Sequence, residues 1–217
     1  MKTGDLTVTI GVDLETFGGQ TEPSLDDIKP GGRLKDEEKI RADILKKQGS
    51  EWKAQALKPG RGEIFCIGMC IDKAPPYIVT GTDEEELMLN FSKELKGFNY
   101  PTFYAHNGYK FDFRFLFFKA LKYRLRDLAH TFSNSKSPHL VDTMVAMAGP
   151  GWGERTSLND MHLTLFNKPA KGEIDGSMVH DYVMAGRGQE ICDYCIEDVA
   201  AMQRCYYALD EMGLIQK

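Results

Sequence analysis

The segment LTVTIGVDLE, residues 6–15, places an apolar residue at every second position. This period of two predicts a β-strand with one apolar face, because successive side chains of a strand point to opposite sides of the sheet. Asp13 and Glu15 then project together from the other face, with their Cα atoms about 6–7 Å apart. Two such carboxylates repel each other unless a cation lies between them, and Mg²⁺ and Mn²⁺ prefer oxygen ligands. The pair is a candidate metal site, with an acidic strand end at a surface loop as the alternative.

The patterns downstream of this strand alternate between strand and helix. The first half is predicted to contain a loop over residues 20–34, a charged helix over 36–56, and strands over 63–72 and 77–80. Thr82 then opens a helix, and Glu85 completes its capping box. The second half is predicted to contain strands over 102–105 and 140–142, an aromatic helix over 111–126, a helix over 157–166 and a final helix over 188–212. This order predicts the α/β fold class with a mixed sheet.

The final helix carries a second candidate group. At 100° per residue its apolar residues form an arc that should face the sheet: Ile191, Cys195, Val199, Met202, Tyr206 and Leu209. Asp193 and Glu197 point to water, whereas Asp198 falls at the margin of the arc and shares a face with Tyr194, one turn earlier. A carboxylate turned toward a core is costly unless it is neutralised, for instance by a metal. A buried aspartate held by backbone donors is the alternative.

The third candidate segment is HNGYKFD, residues 106–112, which follows a short strand and enters the aromatic helix. Asp112 lies near the N-terminus of that helix, where the helix dipole alone also favours a carboxylate. In isolation this residue is therefore a weak signal.

In chain order the three segments read D-x-E, N-x₃-F-D and Y-x₃-D. The chain thereby resembles the exonucleases of the DEDD superfamily, and within them the tyrosine branch (DEDDy), because the histidine branch would need a histidine at position 193. Further segments resemble a bacterial and phage group of stand-alone exonucleases that are similar to the proofreading domain of family B DNA polymerases: LKP at 57–59, IGM at 67–69 and KGEIDGS at 171–177.

The resemblance implies a ribonuclease H-like fold, in which helices flank a central five-stranded mixed sheet. It implies a single exonuclease domain over residues 1–217, with a charged insertion at about 20–56. It also implies two divalent metal ions, Mg²⁺ or Mn²⁺, as cofactors. Asp13 would bridge both ions, Glu15 and Asp198 would complete one site, and Asp112 would serve the second.

The activity implied by the resemblance is 3′→5′ exonucleolytic hydrolysis of terminal phosphodiester bonds, with single-stranded DNA 3′ ends as the expected substrate. An exoribonuclease that trims RNA and a non-catalytic nucleic-acid-binding module on the same fold are the alternatives. The chain is too short to contain a polymerase, so a proofreading or repair role would require a separate partner protein.

The resemblance also implies roles for residues around the four carboxylates. Tyr194 would orient the attacking water, because a phenol with a pKa near about 10 is a poor base at neutral pH. The residues that would contact substrate are Thr16, Phe17, His106 and Asn107. Core packing of Phe17 and a structural role for His106 are open alternatives. Asp142 competes with Asp112 for the role of second-strand carboxylate.

Charge is distributed unevenly along the chain. The formal net charge is −5, yet residues 29–61 contain ten Lys and Arg against five Asp and Glu. A carboxylate-rich body with a basic insertion suits an enzyme that binds divalent metals and contacts phosphates. Lys46, Lys47 and Lys53 are candidates for substrate binding, although the insertion could equally bind a partner or be solvated.

Five cysteines, an odd number, indicate reduced thiols rather than a disulfide framework. The pairs Cys66/Cys70 and Cys192/Cys195 fall within regular apolar segments, so we interpret them as packing residues rather than zinc ligands. Neither a signal-peptide pattern nor a run of 18 apolar residues occurs. The sequence therefore predicts a cytoplasmic protein.

Overall fold

The computed structural model describes residues 8–133, 139–148, 156–170, 172 and 174–215. Five strands form one sheet in the order β3-β2-β1-β4-β5. They are β1 (Thr9–Phe17), β2 (Glu63–Ile71), β3 (Tyr77–Val79), β4 (Thr102–Ala105) and β5 (Leu140–Asp142). β1 pairs antiparallel with β2 and parallel with β4, so the sheet is mixed, as predicted. The first two residues of the predicted strand, 6 and 7, lie outside the described residues.

The helices of the described chain are α1 (Glu37–Gln55), α2 (Glu84–Glu94), α3 (Asp112–Lys122), α4 (Arg126–Phe132), α5 (Thr143–Ala148), α6 (Leu158–Phe166), α7 (Val179–Met184) and α8 (Gly188–Glu211). A 3₁₀ turn at Leu25–Asp27 interrupts the predicted loop. Within the described residues, no helix is both long enough and apolar enough to cross a membrane.

Helices cover both faces of the sheet, as two neighbouring residues of β4 show. Phe103 points to one face and contacts the ring of Phe132 in α4, with the ring centroids 5.0 Å apart. Tyr104 points to the opposite face and stacks on Tyr206 of α8, with the centroids 3.9 Å apart. The sheet is therefore the middle layer of three, and each face contributes to the core.

The predicted apolar arc of α8 does face the sheet, since every one of its six residues is buried. The helix approaches the sheet closely at Gly68 of β2. A Cβ atom at that position would lie 2.6 Å from Cγ2 of Val199 and 2.7 Å from Sγ of Cys195. The absence of a side chain at Gly68 thus fixes how near α8 lies to β1 and β2.

The predicted capping box at the start of α2 is wrong by one residue. Asp83 is the N-cap, and its side chain accepts a hydrogen bond of 2.8 Å from the backbone N–H of Glu86. The carboxylate of Glu86 in turn accepts from the backbone N–H and the hydroxyl of Thr82. Thr82 therefore precedes the N-cap, which is Asp83, and the carboxylate that Thr82 bonds is that of Glu86 rather than Glu85.

The predicted aromatic helix over 111–126 corresponds to α3, which ends at Lys122, and the sequence did not predict α4, which begins at Arg126. Arg124 has a left-handed backbone, with φ at 56°, and this conformation ends α3 and turns the chain into α4. α5 and α7 have six residues each, too few for a period of 3.6 to be visible in the sequence.

A buried ionic cluster joins α2 and α3 to β2. One oxygen of Glu84 accepts hydrogen bonds from the Ile64 N–H at 2.7 Å and from the Lys119 ammonium at 2.9 Å. The other oxygen accepts from Lys122 and from the hydroxyl of Tyr123. Because Lys119 is buried and Glu84 is its salt-bridge partner, loss of the Glu84 charge would leave the Lys119 ammonium buried without that counter-charge.

Candidate active site

The candidate site lies where β1 extends beyond β4. The parallel register of these strands ends at the Gly11 and Tyr104 pair, so the edge of β1 after Gly11 is no longer paired with β4. Asp112, the first residue of α3, occupies this edge and accepts a hydrogen bond of 3.1 Å from the backbone N–H of Leu14. Asp112 is 2% exposed. The short pairing of β4 thus brings the N-terminus of α3 to β1.

Asp13 and Glu15 project from β1 on the face that α8 covers. Asp13 lies opposite Gly68 across the β1–β2 pair and is half-buried, whereas Glu15 is 6% exposed. One ligand atom from each of these two carboxylates lies within 4.8 Å of the other and of the sulfur of Cys195. The predicted pairing of the two carboxylates on one face is thus present in the structure.

α8 contributes Tyr194 and Asp198, both of which are buried. Burial is the main cause that raises the pKa of the Tyr194 phenol, and the negative charge of Asp198 and a hydrogen bond with it are further causes. The charges of Asp13 and Glu15 raise this pKa too. The phenol is therefore close to three of the four predicted carboxylates.

The remaining carboxylate, that of Asp112, lies close to Asp13. Burial raises the pKa of Asp112 well above its usual range, and the negative charge of Asp13 raises it further. Ionised carboxylates this close together require a compensating cation, and buried oxygen ligands are what hard divalent metals bind. Asp13 and Glu15 therefore offer oxygen ligands at a spacing that a divalent metal ion can use, while Asp112 lies beside Asp13 and Asp198 beside Tyr194.

A family model of predicted 3′-5′ exonucleases related to the exonuclease domain of PolB matches residues 78–212. The chain belongs to this family. The matched segment includes Asp112, Tyr194 and Asp198, whereas β1 with Asp13 and Glu15 precedes it.

The structure of this PolB-related chain is similar to that of the family B DNA polymerase from the hyperthermophilic archaeon Pyrobaculum calidifontis, with a TM-score of 0.61 and 14% sequence identity. The similarity covers 96% of this chain and 25% of the polymerase chain, so the chain spans about a quarter of the polymerase. The predicted ribonuclease H-like fold is thereby confirmed. No curated protein matches the chain.

Asp142, the alternative to Asp112 as the second-strand carboxylate, has a different environment. Its carboxylate accepts hydrogen bonds from the backbone N–H groups of Asn107 at 3.0 Å and Tyr109 at 3.1 Å. It also accepts from the N–H groups of Met144 and Val145 in the first turn of α5. Asp142 therefore holds the loop that leads into Asp112, and this loop includes the left-handed backbone of Asn107, with φ at 66°.

His106 lies at the start of the same loop. One ring nitrogen is 3.0 Å from the hydroxyl of Thr143, and the other is 2.9 Å from the carbonyl oxygen of Thr156. Both ring nitrogens thus have protein partners, which supports the structural alternative for His106. Substrate contacts of His106 and Asn107 stay predictions.

Thr16 and Phe17 follow a β-bulge between Glu15 and Thr16. The hydroxyl of Thr16 donates a hydrogen bond of 2.7 Å to the carbonyl oxygen of Ala56. Phe17 is 3% exposed and packs edge-on against Phe65. Both side chains therefore have packing partners, and their contact with a nucleotide stays a prediction.

The basic insertion is attached to the end of β1 through Trp52 of α1, a contact that the sequence did not predict. The indole N–H donates a hydrogen bond of 3.0 Å to the Gly19 carbonyl oxygen, and the ring lies edge-on to His180 of α7. His180 accepts a hydrogen bond from the backbone N–H of Gly18. Gly18 also lies so close to Trp52 that a side chain there would collide with it.

The three lysines proposed to bind substrate differ in their surroundings. Lys53 pairs with Asp181, and Lys47 pairs with Asp43 within α1. Lys46 is exposed. Two of the three positive charges are therefore partly neutralised within the protein.

The five cysteines are free thiols. Their contacts differ from the pairs that the sequence suggests, because Cys66 packs in one apolar cluster with Cys192 and Cys195, whereas the sulfur of Cys70 is 3.1 Å from the hydroxyl of Tyr104. Four of the five are buried and Cys192 is half-buried, which agrees with the predicted packing role. The proximity of Cys195 to Asp13 is a feature that the sequence did not predict.

Proposed function

We propose that the chain is a metal-dependent 3′→5′ exonuclease of the DEDDy type, which hydrolyses terminal phosphodiester bonds at single-stranded DNA 3′ ends. The observation that carries this proposal is the proximity of carboxylates and one phenol from three separate elements: Asp13 and Glu15 of β1, Asp112 at the start of α3, and Tyr194 and Asp198 in the second and third turns of α8. The family of PolB-related exonucleases supports it. Residues 1–217 would form a single exonuclease domain with the insertion at about 20–56.

The ligands of the metal ions would be Asp13, Glu15, Asp112 and Asp198. Two Mg²⁺ or Mn²⁺ ions bound there would activate a water molecule and stabilise the leaving 3′ oxygen. The Leu14 N–H would hold Asp112 in place, and the close packing of Cys195 and Val199 against Gly68 would fix the turn of α8 that carries Asp198. Pre-positioned ligands lower the reorganisation required for catalysis.

Tyr194 would keep its proton at neutral pH, because a phenol has a pKa near about 10 and burial raises the pKa of Tyr194 further. A protonated phenol can donate a hydrogen bond but cannot accept the proton of a water molecule. Its role would therefore be to orient the attacking water beside Asp198.

The test is a digestion of 5′-labelled and 3′-labelled oligonucleotides by the full chain, with Mg²⁺, Mn²⁺ or EDTA. A 3′→5′ exonuclease shortens the 5′-labelled strand step by step and releases the 3′ label at once as a mononucleotide. EDTA should abolish both signals. Parallel reactions on single-stranded DNA, duplex DNA and RNA identify the substrate.

Faster digestion of RNA than of DNA would favour the exoribonuclease alternative over a DNA exonuclease. Tight binding of the oligonucleotides without any cleavage in either metal would instead indicate a non-catalytic module. Nucleic acid is the partner that this proposal requires, and a polymerase or repair partner would be sought only after cleavage of DNA is established.

A further inference from the structure

Cys195 brings a sulfur atom to the candidate metal ligands. Its Sγ lies 3.6 Å from Oδ2 of Asp13 and 3.7 Å from the backbone oxygen of the same residue. The thiol is the hydrogen-bond donor in both contacts. Cys195 is fully buried, so the sulfur is held between α8 and β1 rather than in solvent.

The position of this sulfur is fixed by the approach of α8 to the sheet. Gly68, the residue opposite Asp13 on β2, leaves the space that the sulfur occupies, because a Cβ atom there would lie 2.7 Å from Sγ. A cysteine packed against a strand glycine and hydrogen-bonded to a carboxylate has little freedom to turn away. The sulfur is thus a permanent part of the surroundings of Asp13.

The three groups have a spacing that a metal ion can use. The ligand atoms of Asp13, Glu15 and Cys195 lie within 4.8 Å of one another. Tetrahedral zinc sites have metal–oxygen distances of about 2.0–2.2 Å and metal–sulfur distances of about 2.3 Å, so their ligand atoms are about 3.3–3.8 Å apart. The distance of 3.6 Å between Sγ of Cys195 and Oδ2 of Asp13 already lies in this range.

We propose that Cys195 is a third protein ligand at the Asp13 and Glu15 site, and that it makes this site bind thiophilic divalent ions such as Zn²⁺ and Cd²⁺. Mg²⁺ binds oxygen and would use the carboxylates alone, whereas a thiolate favours the softer ions. This inference rests on the proposed function, because the same carboxylates would bind the catalytic ions.

Binding of a thiophilic ion changes only a proton and a coordinate bond. The S–H bond of Cys195 breaks, its proton leaves to solvent, and the sulfur electron pair forms the bond to the metal. No group is oxidised or reduced. Zn²⁺ would thereby occupy a position that Mg²⁺ requires.

The competing arrangement is a site made of thiols alone. Cys66 packs in one apolar cluster with Cys192 and Cys195, and it lies opposite Glu15 across the β1–β2 pair. An ion bound by these three sulfurs would not depend on Asp13. The two arrangements are therefore separated by a substitution at Asp13.

The test is a Cd²⁺ titration of the reduced, metal-free full chain, followed by the ultraviolet charge-transfer absorbance of cadmium thiolate. The variants are Cys195→Ser, Asp13→Asn and Cys205→Ser. Cys205 is a matched control, because it is a fully buried cysteine of the same helix. Circular dichroism and thermal unfolding establish that each variant is folded.

The wild type and Cys205→Ser should show the band, Cys195→Ser should lose it, and Asp13→Asn should bind Cd²⁺ at least about tenfold more weakly. A band of full intensity in Cys195→Ser would overturn the inference. An unchanged cadmium affinity in Asp13→Asn would also overturn it. Because Asp13→Asn retains all five thiols, this variant tests the inference even if Cys195→Ser does not fold.

Failure of this inference is distinguishable from failure of the proposed function. A chain that digests DNA in Mg²⁺ without a cadmium band that depends on Cys195 refutes the sulfur ligand alone. A chain that shows the band but digests neither DNA nor RNA refutes the exonuclease proposal alone.

Discussion

At the scale of single residues, the site depends on carboxylates that the fold holds close together. Burial and the charge of Asp13 raise the pKa of Asp112, while its backbone hydrogen bond with Leu14 favours the ionised form. The sequence predicted that these carboxylates would be involved. It could not predict the Leu14 contact, because that contact arises from where β4 stops pairing with β1.

Tyr194 gives a prediction at this scale. Tyr194→Phe removes the hydroxyl and keeps the ring, so we expect kcat to fall by about 10- to 100-fold with little change in KM. Steady-state digestion of a single-stranded oligonucleotide in Mg²⁺ measures both constants. Tyr206→Phe is the matched control, because Tyr206 is a buried tyrosine of the same helix that packs on Tyr104 rather than on the carboxylates. An unchanged kcat in Tyr194→Phe would remove the orienting role.

At the scale of elements, helices and strands could be predicted where their apolar pattern extends over more than two helical turns or two strand repeats. The alternation of β1 and the apolar arc of α8 both identify the correct buried face. The turn at Arg124 was not predictable, because arginine does not favour the left-handed backbone found there. Asp142 was likewise recognised only as a candidate ligand, since its four backbone partners come from two separate segments.

The Glu84 cluster gives a prediction that depends on pH. Burial opposes ionisation of Glu84, but hydrogen bonds from Lys122 and the Ile64 N–H and the charge of Lys119 outweigh it, so its pKa lies below the usual range. A carboxyl whose folded-state pKa is lowered adds stability above its unfolded pKa of about 4.3 and loses it as the pH falls through the folded value.

Glu84→Gln leaves Lys119 buried without a counter-charge, so we expect the free energy of unfolding at pH 7 to fall by about 3–5 kcal/mol. The difference from wild type should shrink as the pH falls from about 4.3 through the lowered pKa of folded Glu84, below which the wild-type carboxyl is protonated too. Urea unfolding at a series of pH values measures it, with Glu85→Gln, an exposed neighbour, as the control. A difference that stays constant with pH would show that the charge of Glu84 is not what stabilises the cluster.

At the scale of the whole molecule, three layers bring segments that are far apart in sequence to one place. β1 contributes the first two carboxylates, α3 the third and α8 the fourth, and the parallel β1–β4 pair sets the relation between β1 and α3. The mixed sheet could be predicted from the order of elements together with the resemblance to the DEDD exonucleases. The packing of the basic insertion through Trp52 and His180 could not, because α1 has no apolar face that indicates a partner.

The charge distribution also belongs to this scale. A chain of net charge −5 repels nucleic acid at long range, and the basic insertion next to the end of β1 offsets this locally. Since Lys47 and Lys53 have acidic partners, Lys46 is the member of the predicted set with the most accessible charge. A role of these lysines in substrate binding stays a prediction.

The most direct test of the four-carboxylate site compares two aspartates of α8 that differ in the direction they face. Asp198 is buried beside Tyr194, and Asp193 is exposed on the opposite side of the helix. The measurement is the initial rate of shortening of a 5′-labelled single-stranded oligonucleotide in Mg²⁺ by wild type, Asp198→Asn and Asp193→Asn. We predict that Asp198→Asn loses at least about 10³-fold in rate while Asp193→Asn retains the wild-type rate. Equal rates for all three proteins would contradict the assignment of the site.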